Sequence, residues 1–116
     1  MSDGPRHYDF DGQPCTFHEW VDLVQRGWND DRRFVGRTEI GGYLVSTVWL
    51  GLDYSFGHGE PLMFETMIFD NRDIEYDTDD ELHETCRRWP SRHAAELGHA
   101  AAVNYVRDVL ALRGDG

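Results

Sequence analysis

The chain has 116 residues, about the length of one ordinary domain, so we expect a single domain over residues 1–116. Its 22 acidic residues against 11 basic ones give a formal net charge of −11, which disfavours non-specific binding to nucleic-acid phosphates. Four Trp, five Tyr and six Phe supply core material, which argues against disorder. An anionic partner would therefore need a local pocket that gathers basic groups.

The basic residues are all arginine, which is typical either of bidentate oxyanion recognition or of a GC-rich genome. Cys15 and Cys86 belong to no CxxC or Cys/His cluster, so neither a disulfide scaffold nor a zinc site is expected. The N-terminus, MSDGPRHYDFDG, lacks an apolar leader segment, and no stretch approaches the roughly 20 apolar residues that span a bilayer. We therefore expect a cytoplasmic protein without membrane contact.

Helix and hairpin signals occupy the first third of the chain. Residues 1–14 contain two Gly and two Pro and predict an irregular arm, with one short edge strand around Tyr8 and Phe10 at most. Thr16, with Glu19 three residues later, is a plausible N-cap for an amphipathic helix that ends at Gly27. A strand over residues 32–40 and the following Gly41-Gly42 pair then predict a tight hairpin.

Two apolar strands are predicted in the middle of the chain. Residues 43–52 (YLVSTVWLGL) are almost wholly apolar, as expected of a central strand that is covered on both faces. After a glycine-containing loop over residues 53–61, residues 62–69 return as the next strand. There Leu62, Phe64, Thr66 and Ile68 share one face, and the alternate residues Met63, Glu65, Met67 and Phe69 share the other.

The last third combines an acidic loop over residues 70–81, an ambiguous segment and a long helix. Residues 82–89 fit either a helix begun near residue 79 or a strand, and Pro90 favours a strand over residues 85–89. Ser91 is a plausible N-cap for a helix over residues 91–112 with a broad apolar stripe. The sequence thus predicts an α+β fold: a small antiparallel sheet of about four to five strands, with a short N-terminal helix and a long C-terminal helix packed on it.

Metal and catalytic patterns are weak. His93 and His99 are six residues apart and diverge around a helix, so a capping or surface role is favoured over a metal site. The acidic loop lacks the ligand spacing of a calcium-binding loop. Asp53 and Glu65 are the one carboxylate pair suited to acid–base chemistry, but without a nearby nucleophile a structural role for Glu65 is favoured. We expect no cofactor, no metal and no catalysis.

Arginines give the more specific hypothesis. The pairs Arg32-Arg33 and Arg87-Arg88, together with Arg107, are placed to converge at a sheet edge or a subunit interface. Guanidinium groups there would hold phosphates, and Trp89 or Tyr105 would stack on a base. The alternative is that these arginines pair with surface carboxylates.

Several motifs resemble one family of small phage proteins. These are VSTVWLGLDYSFGHGEPLMFETMIF at residues 45–69, Arg88-Trp89-Pro90-Ser91, and AAELGHAAAV before Val106-Arg107. The family pairs VSTV-aromatic-LGLDH with GPPLLFETMVF, an Arg-Tyr-Ser-Thr stretch and a helix that contains Gly-His. The chain therefore resembles the first-described Thoeris anti-defence family over about two-thirds of its length. Tyr54 replaces the usual His, Glu60 replaces a Pro, and the loop after residue 70 is longer and more acidic.

The resemblance implies a non-enzymatic sponge that binds cyclic ADP-ribose isomers or cyclic oligonucleotides made by bacterial immune enzymes, in the cytoplasm of the infected host cell. It also implies a homo-oligomer with ligand pockets between subunits. Chemistry and the matching late helix together suggest five ligand-binding residues: Arg33, Arg88, Trp89, Asn104 and Arg107. The alternatives are an acidic inhibitor that binds a host protein, with its −11 surface mimicking nucleic acid, and a phosphodiesterase that uses Asp53 and Glu65.

Overall fold

The computed structural model describes residues 6–27, 31–57, 59–70 and 86–114. Within them, four strands form one antiparallel sheet in the order β1-β2-β3-β4, and a long helix packs on one face. The α+β prediction is confirmed, with four strands. The elements in chain order are α1 (Phe17–Gly27), a short 3-10 turn (Asp31–Arg33), β1 (Phe34–Ile40), β2 (Tyr43–Trp49), β3 (Phe64–Asp70), β4 (Cys86–Trp89) and α2 (Arg92–Leu112).

The N-terminal arm is held against the sheet by aromatic side chains. Tyr8 and Phe10 are each 4% exposed, and the Trp49 indole nitrogen donates hydrogen bonds to the carbonyl oxygens of Tyr8 and Asp9. The sequence predicted at most one short edge strand here, and the arm forms only two isolated bridges, His7↔Leu52 and Tyr8↔Pro14. The arm therefore belongs to the core although it forms no regular strand.

Helix α1 begins with the predicted capping box. The Glu19 amide donates to Thr16 Oγ1 at 3.1 Å, and the Thr16 amide donates to Glu19 Oε1 at 2.8 Å. Both bonds satisfy amides that the first helical turn leaves without partners. Hydrogen bonds from Thr16 lower the pKa of Glu19, because they favour its charged form.

The β1–β2 hairpin turns at Gly41-Gly42, as predicted. Both glycines have positive φ, 55° and 87°, and Ile40 pairs with Tyr43 across them. Strand β1 starts at Phe34 rather than residue 32, because the Asp31–Arg33 turn precedes it. Strand β2 ends at Trp49 rather than residue 52, because Gly51 adopts φ 74° and the amides of Leu50 and Gly51 both donate to the Met63 carbonyl.

Strand β3 runs from Phe64 to Asp70, two residues later than predicted at its start, and pairs with both β2 and β4. The alternation predicted for it is confirmed, since Phe64, Thr66 and Ile68 are buried and Phe69 is 42% exposed. The strand interpretation of residues 86–89 is confirmed as well. Residues 71–85, which include most of the predicted acidic loop and the start of the ambiguous segment, lie outside the described residues.

Helix α2 covers the inner face of the sheet. Its N-cap is Ser91, whose hydroxyl accepts a hydrogen bond from the Ala94 amide at 3.0 Å, as predicted. The buried side of α2 is narrower than the predicted stripe, because Leu97 is 61% exposed and Tyr105 is 42% exposed. The buried residues of α2 are Ala95, Gly98, Val103, Val106, Val109 and Leu110.

The outer face of the sheet is less covered. Along β2 the inner residues are fully buried while Leu44, Ser46 and Val48 are half-buried, so the expectation that both faces would be covered is not met within one chain. The two cysteines are half-buried and unpaired. No helix in the described part of the chain is both long and apolar enough to cross a membrane.

Candidate functional site

Arg88 stands on the outer face of the sheet, held by a carboxylate. Its Nε donates to Glu65 Oε2 at 3.0 Å, which follows from the register, since Glu65 and Arg88 are directly paired on β3 and β4. The Glu65 side chain is 17% exposed and the Arg88 side chain 38%. A covered carboxylate thus fixes the guanidinium through Nε, and its two terminal nitrogens have no hydrogen-bond partner among the residues described.

One aromatic ring adjoins this arginine, and a second ring adjoins the first. The Arg88 guanidinium carbon lies 5.0 Å from the centroid of the Tyr54 ring, within the range of a cation–π contact. Phe56 meets Tyr54 edge to face, with ring centroids 6.3 Å apart and an interplanar angle of 88°. Phe56 is 78% exposed, so the site combines a positioned cation with an aromatic ring that is open to solvent.

Asp53 holds the loop that carries these rings. Its Oδ1 accepts hydrogen bonds from the amides of Ser55 at 2.8 Å and Leu62 at 3.0 Å, and so closes the loop at its base. Burial would raise the pKa of Asp53, but these bonds and the nearby Arg6 outweigh it and lower that pKa. The two carboxylates considered for acid–base chemistry thus have separate structural partners. Asp53 binds backbone amides of its own loop, and Glu65 binds the Arg88 guanidinium.

The other predicted ligand-binding residues lie elsewhere on the chain. Trp89 turns to the inner face, where its indole nitrogen donates to Thr66 Oγ1 at 2.9 Å and its ring lies over Gly98. Asn104 and Arg107 are exposed on α2, on the opposite side of the sheet from Arg88. Arg33 ends the 3-10 turn that precedes β1, the other edge strand. One chain therefore brings none of them to Arg88, and their convergence stays a prediction about an assembly.

A second group of arginines surrounds Phe34 at the β1 edge. The guanidinium carbons of Arg33 and Arg37 lie 4.9 and 5.2 Å from its ring centroid. Arg33 also lines a cavity of about 260 Å³ together with Val24, Val48, Trp49 and Leu50. Among the described residues, both edge strands of the sheet therefore have arginines on or next to them.

Arg92 has a structural role in the same region. Its guanidinium donates to the carbonyl oxygens of Phe10, Arg32 and Phe34, at 3.0, 3.1 and 3.3 Å. It therefore ties the first turn of α2 to the N-terminal arm and to β1, and is not available as a ligand contact.

No group of three metal-binding side chains occurs among the described residues. His93 is exposed and lies 4.0 Å from Glu96, as expected of a surface residue. His99, in contrast, points into the helix–sheet interface, which corrects the interpretation of it as a capping or surface residue.

Sequence reasoning identified Arg88 but missed Tyr54, Phe56 and the Glu65–Arg88 ion pair. The exposed aromatics in the loop DYSFG were visible in the sequence, but their proximity to Arg88 depends on a strand register that no local pattern contains. Comparison with known proteins adds nothing to this description, since no family model, curated protein or solved structure matches the chain.

Proposed function

We propose that this protein is a phage immune-evasion protein that sequesters a cyclic ADP-ribose isomer without cleaving it, in the cytoplasm of the infected bacterium. The observation that carries the proposal is Arg88, held by Glu65 and adjoining the Tyr54–Phe56 ring pair. A nucleotide signal offers phosphate oxygens and a purine ring. An oriented guanidinium binds the first and an exposed aromatic ring stacks on the second.

The resemblance in sequence supports the same conclusion from another direction. The motif at residues 45–69 contains Tyr54, Phe56 and Glu65, and the next motif begins at Arg88. The segments that resemble the sponge family therefore contain the residues of the candidate site, with Tyr54 at a position where the family usually has His. Cyclic oligonucleotides carry the same phosphate and purine groups and are the second ligand class that the resemblance implies.

We further propose that copies of the chain assemble and complete the pocket. An apolar, partly exposed patch lies on the outer face of β2 and β3 and consists of Leu44, Met67 and Phe69. Val48 extends this patch to the Glu65–Arg88 pair. A second copy that covered this patch would lie beside Arg88, and its own side chains would complete the pocket. Light scattering coupled to size-exclusion chromatography is expected to report an oligomer, and a monomer at high micromolar concentration would contradict this assembly.

Isothermal titration calorimetry with purified cyclic ADP-ribose isomers tests the function. The proposal predicts saturable heat, and no response at tens of micromolar, equivalent to about −6 kcal/mol, would contradict it. Heating the complex and analysing the released ligand by chromatography tests the absence of cleavage. Intact ligand is the expected result, whereas hydrolysed ligand would favour the phosphodiesterase alternative.

The same preparation separates the proposal from an acidic protein-binding inhibitor. A host protein captured at low salt and released at high salt, together with no response to any cyclic nucleotide, would favour that alternative. A nucleotide response that is independent of host protein would favour the sponge.

A further inference from the structure

A continuous chain of hydrogen bonds crosses the interface between the sheet and α2. The Trp89 indole nitrogen donates to Thr66 Oγ1 at 2.9 Å, and Thr66 Oγ1 lies 2.6 Å from Thr47 Oγ1. Thr47 Oγ1 lies 2.8 Å from His99 Nδ1, and His99 Nε2 lies 2.9 Å from Thr38 Oγ1. The chain therefore joins all four strands to the long helix through five side chains.

The direction of these bonds follows from counting donors. The indole nitrogen can only donate, so Thr66 accepts from Trp89 and must pass its own hydroxyl hydrogen to Thr47. Thr47, which is fully buried, then donates to His99 Nδ1, so the ring hydrogen resides on Nε2 and is donated to Thr38. Thr38 is half-buried at the end of the chain, where its hydrogen can reach water. Each buried donor has an acceptor in this arrangement.

The reversed arrangement leaves one buried hydrogen without an acceptor. If His99 Nδ1 carried a hydrogen, it would donate to Thr47, and Thr47 would have to donate to Thr66. Thr66 would then have two donors directed at its oxygen and no acceptor for its own hydrogen at a site only 3% exposed. A buried donor without a partner costs roughly 1–3 kcal/mol.

We propose that His99 makes the attachment of α2 to the sheet sensitive to pH, because only the neutral, Nε2–H form of its imidazole completes the hydrogen-bond chain. Protonation places a hydrogen on Nδ1 and so imposes the reversed arrangement on Thr47 and Thr66. The positive charge would also lie beside Gly36, whose added Cβ would meet ring atoms of His99 at 2.8 Å. So close a backbone leaves no room for water beside the ring on that side.

Among the described residues, none around His99 carries a charge that compensates a proton. Burial lowers the pKa of His99, and no carboxylate in the described part of the chain opposes this effect. Four charged side chains of the strands lie on the outer face, because they alternate with the residues that point toward α2. They are Arg37 and Glu39 on β1, Glu65 on β3 and Arg88 on β4. The remaining titratable or charged groups on the described parts of these elements lie on β2, β3, β4 and α2. They are Tyr43, whose hydroxyl accepts from Arg113; Asp70 at the end of β3; the half-buried Cys86 and the exposed Arg87 on β4; Arg92, which donates to backbone carbonyl oxygens; and His93, Glu96, Tyr105, Arg107 and Asp108, which are exposed on α2.

Protonation of His99 also affects the candidate site through β4, a step that rests on the proposed function. Strand β4 has four residues, and Trp89, which ends the hydrogen-bond chain, follows Arg88 directly. Protonation of His99 at mildly acidic pH is therefore expected to weaken the packing of β4 and, with it, ligand binding at Arg88.

Nuclear magnetic resonance of the imidazole nitrogens tests the proposal on the wild-type protein without ligand. We expect long-range proton–nitrogen correlations to report the Nε2–H tautomer for His99 at neutral pH, and half-protonation of His99 below the ordinary imidazole pKa of 6.5. An Nδ1–H tautomer, or half-protonation of His99 at or above pH 6.5, would overturn the proposal. Because no ligand is present, this outcome is independent of the proposed function.

A matched pair of variants gives the second measurement. Urea midpoints are compared between about pH 7 and about pH 5.5 for wild type, His99→Gln and His93→Gln. We expect acidification to lower the midpoint of wild type and of His93→Gln equally, and that of His99→Gln less, because glutamine does not titrate. Equal losses in all three proteins would contradict the proposal, and if His99→Gln does not fold, the wild-type titration decides.

Discussion

The hydroxyl oxygens of Thr47 and Thr66 lie 2.6 Å apart at the centre of the sheet, and both residues are at most 3% exposed. Neighbouring strands β2 and β3 present them directly opposite each other in the register. In a core that is otherwise apolar, this pair connects Trp89 on one side with His99 on the other. Polar contacts at this depth are sensitive to the loss of any one member.

Replacing Thr66 by Val removes the acceptor of the Trp89 indole and the donor to Thr47 while the side-chain shape is kept. We expect the free energy of unfolding to fall by about 1–3 kcal/mol, because a buried N–H loses its partner. Urea denaturation measures the loss, and Thr66→Ser, which keeps the hydroxyl, is the control. A Thr66→Val protein as stable as Thr66→Ser would contradict the role assigned to the hydroxyl.

Gly98 lies where α2 crosses Trp89. A Cβ added there would meet Trp89 Cζ2 at 2.2 Å, so Gly98→Ala is expected to destabilise the protein by about 1–3 kcal/mol, despite the better helix propensity of alanine. Thermal denaturation of Gly98→Ala, Trp89→Leu and the double variant checks this contact. The double variant should lose less than the sum of the single losses, and simple additivity would show that the two residues are not in contact.

Arg92 joins three segments through backbone carbonyl oxygens. Removal of the guanidinium in Arg92→Met is expected to cost about 2–3 kcal/mol, since hydrogen bonds to charged groups are the stronger kind. Arg87→Met is a matched control, because Arg87 is exposed and donates to one carbonyl at 3.4 Å. Similar urea midpoints for the two variants would contradict the assigned role of Arg92.

Asp53 makes the stability of its loop dependent on pH. Its pKa is lowered in the folded protein, so its stabilising contribution is fully present above the ordinary pKa of 3.8 and is lost as the pH falls from there through the lowered value. Asp53→Asn is expected to be less stable than wild type near neutral pH and to approach wild type below about pH 4. Chemical denaturation over a pH series measures the difference, and a constant gap down to strong acid would contradict this assignment.

Local sequence signals predicted the parts of the fold that are encoded locally. The Gly41-Gly42 hairpin, the Thr16–Glu19 capping box and the Ser91 N-cap follow from the chemistry of a few adjacent residues. The end of β2 was misplaced because Gly51 interrupts an apolar run through its backbone conformation, which hydrophobicity does not reveal.

The features that matter most for the site depend on pairing between distant segments. Glu65 and Arg88 meet only because β3 and β4 adopt one register, and residues 65 and 88 are far apart in sequence. His99 was interpreted as a capping or surface residue because it diverges from His93 around the helix and so makes no metal pair with it. Its actual partners, Thr38 and Thr47, lie on strands more than fifty residues away in sequence. The threonines in apolar strands carried no sign that they were members of one hydrogen-bond chain.

The central claim is that Arg88 binds the phosphate of a nucleotide signal. Calorimetric titration of a cyclic ADP-ribose isomer into wild type, Arg88→Gln and Arg26→Gln tests it most directly, because Arg26 is an exposed arginine paired with Asp22 on α1 and its loss changes the net charge equally. We predict that Arg88→Gln weakens binding at least about tenfold, the equivalent of 1.4 kcal/mol, while Arg26→Gln binds as wild type does. Equal affinity of the Arg88→Gln and wild-type proteins, or no binding by wild type, would contradict the claim.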